Sequence, residues 1–114
     1  MTTSIFEKLS KLGYVITNKR VLGKPEHTSI ETREKDLIQE IALISNWLCK
    51  EHGIWIVVNP HKGEDDLGKP FMEFDPEVWS FTNECVFHNT GLLYYNSPTE
   101  AYEAAIEYTL NNLI

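Results

Sequence analysis

Two Cys-x-x-His pairs are the residues whose types and spacing most directly suggest chemistry. They are Cys49 with His52 and Cys85 with His88. Thiolate and imidazole are zinc ligands, and four of them complete a tetrahedral structural site. On a helix, residues i and i+3 share a face, so Cys49 and His52 would bind together. The alternative is a pair of reduced thiols and a His52 that contacts the last carbonyls of a helix. Because the spacing is not that of a usual zinc finger, we assign no metal ligand and no cofactor.

Acidic side chains are concentrated in the later two thirds of the chain. The net charge is −7, and from Asp36 onward thirteen acidic residues accompany only three basic ones. Such a surface repels phosphate backbones, so we expect no nucleic-acid partner. The cluster Glu64-Asp65-Asp66 has the charge of a cation site but lacks the EF-hand register. A solvated loop is the favoured interpretation of this cluster.

Three further acids lie on one face of the predicted last helix. Glu100, Glu103 and Glu107 follow the start of that helix, where its dipole favours negative charge. Helix stability and solubility account for them without any function. The functional alternative is that they join Asp65 and Asp66 in one continuous acidic face. Such a face would bind a protein partner, in one version by mimicking phosphates.

Catalytic motifs are missing from the sequence. There is no Gly-x-Ser-x-Gly elbow, no dinucleotide motif and no phosphate loop. A small enzyme would therefore need a dispersed site, with a pocket near His61 or His88 that holds at least two titratable groups. We assign no catalytic residue, and an enzyme is the less favoured class.

Aromatic residues are dense in the predicted strands. Most of them should lie in the core, but two or three exposed on one sheet face would form a protein-binding patch. The residues concerned are Trp55, Phe71, Trp79, Phe81, Tyr94 and Tyr95.

Three helices are predicted from capping residues and apolar spacing. The capping box Ser4–Glu7 begins a helix over roughly residues 4–12. A long helix starts between residues 28 and 32 and ends at His52 before Gly53. Its apolar stripe is Leu37, Ile41, Ile44 and Leu48, widened by Ile38 and Ser45, with Trp47 beside it. Ser97 caps the last helix.

Strands are predicted between the second and third helices. The run Ile54–Val58 reads as a central strand buried on both faces. Residues 59–69 read as a polar loop, and Asp75-Pro76 interrupts the strand pattern that resumes at Phe71. Further short strands are predicted over 78–81, 85–87 and 92–95, and residues 14–22 read as a hairpin or one irregular strand.

The predicted fold class is α+β, with helices packed on one face of a three- or four-stranded antiparallel sheet. An α-β-β-β-α core over residues 31–114 follows an N-terminal extension over 1–30, and together they form one compact domain. The extension holds the short helix and either the hairpin or the irregular strand. The N-terminus lacks a signal peptide's apolar region, and no apolar run could span a membrane. We expect a cytoplasmic protein with no membrane partner, and leave its oligomeric state open.

The element order from Thr32 to Ile114 resembles the double-stranded RNA-binding domain. That family grips phosphates with basic residues at the start of its last helix and in the loop between its first two strands. Here Glu100 and Glu103 stand at the helix start, and Lys62 in the loop is followed by acids. The resemblance implies a shared shape without the phosphate grip.

Three segments resemble a group of small uncharacterised proteins found in phages and mobile elements of Bacteroides-type gut bacteria. The segments are Asn46–Leu48, Glu51–Ile54 and, most specifically, Tyr95–Ile106. The resemblance implies an intracellular accessory protein and assigns no functional residue. Our leading hypothesis is therefore a non-enzymatic, phage-related accessory protein that binds a protein partner. A zinc-stabilised domain and a small enzyme are the alternatives.

Overall fold

Residues 3–17, 30–82 and 84–114 are described by the structure, a computed structural model. The described elements are, in chain order, α1 Thr3–Lys11, α2 Ile30–His52, β1 Ile54–Glu64, β2 Pro70–Phe81, β3 Cys85–His88 and α3 Pro98–Asn112. The α+β prediction is confirmed, since the helices pack against an antiparallel sheet with the strand order β1-β2-β3. The predicted hairpin beyond residue 17 and the predicted boundary at residue 30 fall in or beside the stretch 18–29, outside the described residues.

The helix ends have the local causes that the sequence indicates. Ser97 has extended backbone angles, and its Oγ accepts a hydrogen bond from the Glu100 N–H at 3.2 Å. Pro98 then takes the first helical position, where no N–H is needed. After α2, Gly53 adopts a positive φ of 65° and turns the chain directly into β1.

The hydrophobic core lies between the helices and one face of the sheet. From the sheet it takes Ile54, Ile56 and Val78, whose side chains point toward the helices. From the helices it takes Ile5, Phe6, Leu9, Ile41, Ile44, Leu48, Ala105, Ile106 and Leu110. Helix α1 therefore shares the core of the rest of the chain. The side chains of Lys8 in α1 and Asn111 in α3 also form a hydrogen bond.

In the sheet that the structure describes, β1 is an edge strand, so the prediction of a central strand buried on both faces or nearly so is wrong. Among the described residues β1 pairs with β2 alone, and Trp55 is 49% exposed. The central strand is β2, which carries more charge. The prediction relied on the consecutive apolar residues of Ile54–Val58, which are typical of a strand covered on both faces. Only Ile54 and Ile56 of this run are buried.

Strand β2 is continuous, so the predicted interruption at Asp75-Pro76 is wrong. Phe74 exchanges two backbone hydrogen bonds with Tyr95, at 2.8 and 2.9 Å, on the side away from β1. Pro76 lies two residues further and so faces the same side. It falls between the Phe74–Tyr95 bridge and the first β3 pair, Val78–His88. The missing N–H of Pro76 therefore breaks no hydrogen bond of the β1–β2 ladder.

The predicted loop over residues 59–69 is largely strand. β1 continues to Glu64, and the turn over residues 65–69 leads into β2. The hairpin beyond Pro60 and Phe74, which we call the arm, is mostly exposed. Because no helix covers the arm, its sequence lacks the alternating apolar pattern that would have indicated strands. The predicted last strand over 92–95 reduces to the single bridge at Tyr95.

Candidate functional site

The four residues of the zinc alternative do not come together. Cys49 is half-buried in α2, and the His52 ring packs edge-on against Trp47, with 4.9 Å between the ring centroids. Cys85 pairs with Phe81 and His88 with Val78, which places these two ligands on opposite faces of the sheet. Within residues 3–17, 30–82 and 84–114, no three His, Cys, Asp or Glu side chains are grouped to hold a metal ion.

The acids of the arm and of α3 occupy different parts of the molecule. Asp65 lies five residues beyond Pro60, about 17 Å along the strand. Glu100 is in the first turn of α3, five residues after Tyr95, whose bridge to Phe74 is level with Pro60. Asp65 also has a structural role, since its Oδ1 accepts hydrogen bonds from the N–H groups of Leu67 and Lys69 at 2.9 and 2.8 Å.

The acids of α3 are not equally exposed. Glu100 and Glu107 are exposed, whereas Glu103 is half-buried. Burial raises the pKa of the Glu103 carboxyl above its ordinary value, and the neighbouring Glu100 and Glu107 add to the rise. That these acids join Asp65 and Asp66 in one continuous acidic face stays a prediction.

The histidines of the enzymatic alternative lie on opposite faces of the sheet. His88 Nε2 is 2.5 Å from Ser80 Oγ. A histidine that contacts a hydroxyl in this way is the pairing of base and nucleophile that covalent catalysis uses. In the described part of the chain, no carboxyl group bonds to the other ring nitrogen of His88 to orient it. His61 Nε2 lies 3.7 Å from Asp75 Oδ2, and the His61 ring contacts Tyr94. Neither histidine lines the groove between α2, the start of β1 and the first turn of α3.

The sheet face that points away from the helices, here called the outer face, carries exposed aromatic rings. Trp79 packs edge-on against Phe87, with centroids 4.9 Å apart, and stacks on Phe81 at 6.5 Å. Phe81 and Phe87 are each 50% exposed. The prediction that most of the strand aromatics lie in the core is wrong, because none of the six residues concerned is buried. The outer face instead has the arrangement of the alternative, with Trp79 and Phe81 on one face of the sheet.

Three acids of β2 share the outer face with those rings. Strand alternation places Glu73, Asp75 and Glu77 on the same side as Trp79, and we call them the acidic row. Each is half-buried. Glu77 accepts a 3.4 Å hydrogen bond from the Trp79 indole N–H, so the acidic row and the aromatic rings are in direct contact.

A groove of about 620 Å³ runs between α2, the start of β1 and the first turn of α3. Most of its wall is apolar, and its volume is within the usual range for ligand-binding sites. Along α2 it extends from Ile38 to Cys49, eleven residues or about 16 Å. The lining residues are Ile38, Ile41, Ala42, Ser45, Asn46 and Cys49 of α2, Trp55 and Ile56 of β1, and Pro98, Thr99 and Tyr102 of α3.

In the sheet formed by the described residues, the edge of β1 beside this groove has main-chain groups that no strand pairs with. The Phe81 N–H donates to the Gly53 carbonyl at 2.7 Å, which fixes the pattern of the antiparallel ladder. Trp55, Val57 and Asn59, like Gly53, therefore direct their main-chain groups toward β2. Ile56 and Val58 direct theirs away from β2, where no described strand lies.

The sequence contained a partial signal for the groove. Ile38 and Ser45 were recognised as widening the apolar stripe of α2, and Ala42 and Cys49 continue the same line at helical spacing. When an apolar stripe is wider than the surface that packs against it, part of the stripe stays uncovered. The position of β1 beside the groove could not be predicted from sequence, because it depends on which strand of the sheet takes the edge.

The comparisons with known proteins give no relative from which a function could be transferred. No protein family model, curated protein or solved structure matches the chain. No helix of the described residues combines the length and the apolar character needed to cross a membrane. The class of protein rests on the α+β fold, and the function must be argued from the groove and the sheet.

Proposed function

We propose that this protein is a non-enzymatic binding module for an extended segment of a partner protein. The segment adds as a strand to the edge of β1 and places side chains in the groove. One observation carries the proposal: Ile56 lines the groove, while its N–H and C=O point away from β2, to an edge where the described part of the chain places no strand. Strand addition of this kind obtains affinity from main-chain bonds and specificity from pockets for alternate side chains.

The dimensions of the groove agree with this mode of binding. A length of about 16 Å accommodates about five residues of extended chain at 3.3 Å per residue. Each main-chain hydrogen bond would contribute about 0.5–1.5 kcal/mol, and burial of apolar surface about 25 cal/mol per Å². A small number of bonds and two or three buried side chains therefore give binding of useful strength.

The rest of the same edge is protected against pairing. Pro60 lacks an N–H at a position that faces the open side, and Lys62 adds a charge two residues later. Proline and lysine are the usual means of keeping edge strands from pairing. The unprotected stretch, Ile54–Val58, contains both β1 residues that line the groove, Trp55 and Ile56. This coincidence supports a site there.

The test selects binders from a random ten-residue peptide library displayed on phage and measures their affinity for two variants. Ala42→Trp fills the groove, since Ala42 is an exposed lining residue. Leu43→Trp is the matched control, because Leu43 is the adjacent exposed position outside the groove. We expect selected peptides to lose affinity at least about tenfold with Ala42→Trp and less than about twofold with Leu43→Trp.

Main-chain methylation then distinguishes a strand from a helix in the groove. A strand bonds to its neighbour through every second residue, so N-methylation should abolish binding at alternate peptide positions only. A library that gives no peptide sensitive to Ala42→Trp would contradict the proposal. So would peptides that tolerate methylation throughout. Unfolding midpoints close to that of the wild type establish that both variants are folded.

A further inference from the structure

We infer that the segment bound at the β1 edge carries lysine or arginine at the positions that face away from the helices. This inference rests on the proposed function and specifies the partner for the same site. It predicts a sequence pattern in which apolar residues, directed into the groove, alternate with basic ones.

The register assigns each side chain of an added strand to one face of the sheet. Side chains of neighbouring strands that lie opposite each other point to the same face. Those beside Ile56 therefore point toward the helices and enter the groove. Those beside Trp55 and Val57 lie on the outer face, next to the acidic row on β2.

Glu77 is the acid within reach of such a side chain. It is the register partner of Val57, so only the short valine side chain separates it from the open edge. An added strand would lie about 10 Å from β2, two strand spacings away. The long side chains of lysine and glutamate can extend toward each other over this distance, above Val57. Asp75 lies two residues further along the same face, opposite Asn59.

No lysine or arginine of the described strand residues points to the outer face. The described residues of β1, β2 and β3 that point outward include three carboxylates, the acidic row, and His61, which lies 3.7 Å from Asp75. A basic side chain is attracted by this face, and an acidic one is repelled.

Charge also distinguishes this occupant from a second copy of the protein. The chain has a net charge of −7, and its own β1 edge would bring a second acidic row toward the first. Like charges placed together at an interface cost affinity. A basic, alternately apolar segment of another protein has the complementary chemistry.

The experiment uses the same random peptide library, with Glu77→Gln as the test variant and Glu51→Gln as the control. Glutamine keeps an acceptor for the Trp79 indole, and Glu51 is an exposed acid at the end of α2. We expect peptides that depend on the groove to be enriched in lysine or arginine at alternate positions. Glu77→Gln should weaken them about tenfold at low ionic strength, and Glu51→Gln less than about twofold. Raising the salt from about 0.05 M to about 0.5 M should reduce the difference.

The outcomes separate the two proposals. Groove-dependent peptides without basic enrichment, or with unchanged affinity for Glu77→Gln, would overturn this inference and leave strand addition intact. A library without groove-dependent peptides would overturn both. Enrichment of acidic residues at the outward positions would contradict the inference directly. In the tightest peptide, replacing the lysine by glutamine should weaken binding to the wild type. Glu77→Gln should then cause no further loss of affinity for this altered peptide, as a direct pair between the two charges requires.

Discussion

The phenol of Tyr14 donates a hydrogen bond to the side chain of Glu40, with 3.1 Å between the two oxygens. The backbone N–H of Thr17 donates to the same Glu40 oxygen at 2.9 Å. Glu40 is 1% exposed, although it belongs to a helix whose other buried residues are mainly apolar. This one side chain therefore ties the segment after α1 to the middle of α2.

The first prediction concerns the stability that Glu40 provides. Glu40→Ala leaves the Tyr14 hydroxyl and the Thr17 N–H without their acceptor, so the free energy of unfolding should fall by about 2–4 kcal/mol. Urea denaturation gives this value. Glu34→Ala, an exposed glutamate of the same helix, is the control and should change it by less than about 0.5 kcal/mol. Equal effects of the two substitutions would show that Glu40 is not the anchor.

The second prediction concerns stability at alkaline pH. Burial, and then the neighbouring Glu40, raises the pKa of the Tyr14 phenol well above its ordinary value of about 10. The folded state therefore holds this proton more tightly than the unfolded state. The stability from Tyr14 is complete below about pH 10 and is lost as the pH rises above that value.

The measurement compares wild type with Tyr14→Phe from about pH 8 to about pH 11. The difference between their unfolding free energies should be constant below pH 10 and shift in favour of Tyr14→Phe above it. The comparison removes the contribution of lysines, which titrate in both proteins. A difference that stays constant across the whole range would contradict the raised pKa of Tyr14.

The third prediction uses two glycines with positive φ. At Gly53, φ is 65°, and an added Cβ would lie 3.2 Å from the Phe81 carbonyl oxygen. At Gly68, φ is 77°, and an added Cβ would have no atom within 4 Å. Gly53→Ala should cost about 2 kcal/mol, from strain and contact together, and Gly68→Ala about 1 kcal/mol, from strain alone. Thermal unfolding of the two variants measures these losses of stability. A larger loss of stability for Gly68→Ala than for Gly53→Ala would contradict the prediction.

The fourth prediction separates two adjacent acids of the arm. Asp65→Ala removes the acceptor for two turn N–H groups and should speed amide exchange at Lys69 about fivefold, as the loss of about 1 kcal/mol implies. Asp66→Ala, next to it and also exposed, should leave that exchange rate unchanged. Similar rates in both variants would mean that the Asp65 side chain does not hold the turn. Two-dimensional NMR spectra give the rates.

The helices could be predicted from sequence because their signals are local. Ser97 and Pro98 mark the start of α3, and Gly53 marks the end of α2, whatever the rest of the chain does. The apolar stripe likewise identified Ile41, Ile44 and Leu48 as buried. Glu40 was missed, although it lies on that stripe three residues after Leu37 and four before Ile44. A charged residue at such a position indicates a buried partner.

The sheet was harder to predict because its signals depend on tertiary context. Pro76 is compatible with a strand only because its N–H side faces a gap between Tyr95 and His88. The exposed arm lacks an alternating pattern since no helix covers it. The Cys85–His88 pair failed as a zinc site for a related reason: residues three apart share a face on a helix but not on a strand.

The central claim is that the edge of β1 accepts a strand, and amide hydrogen exchange at Ile56 and Val58 tests it most directly. In the free protein the Val57 amide, which faces β2, should exchange slowly, and the Ile56 and Val58 amides, which face the open edge, should exchange fast. A peptide selected for dependence on the groove should protect Ile56 and Val58 at least about tenfold and leave Val57 unchanged. Binding that leaves Ile56 and Val58 unprotected would contradict the account.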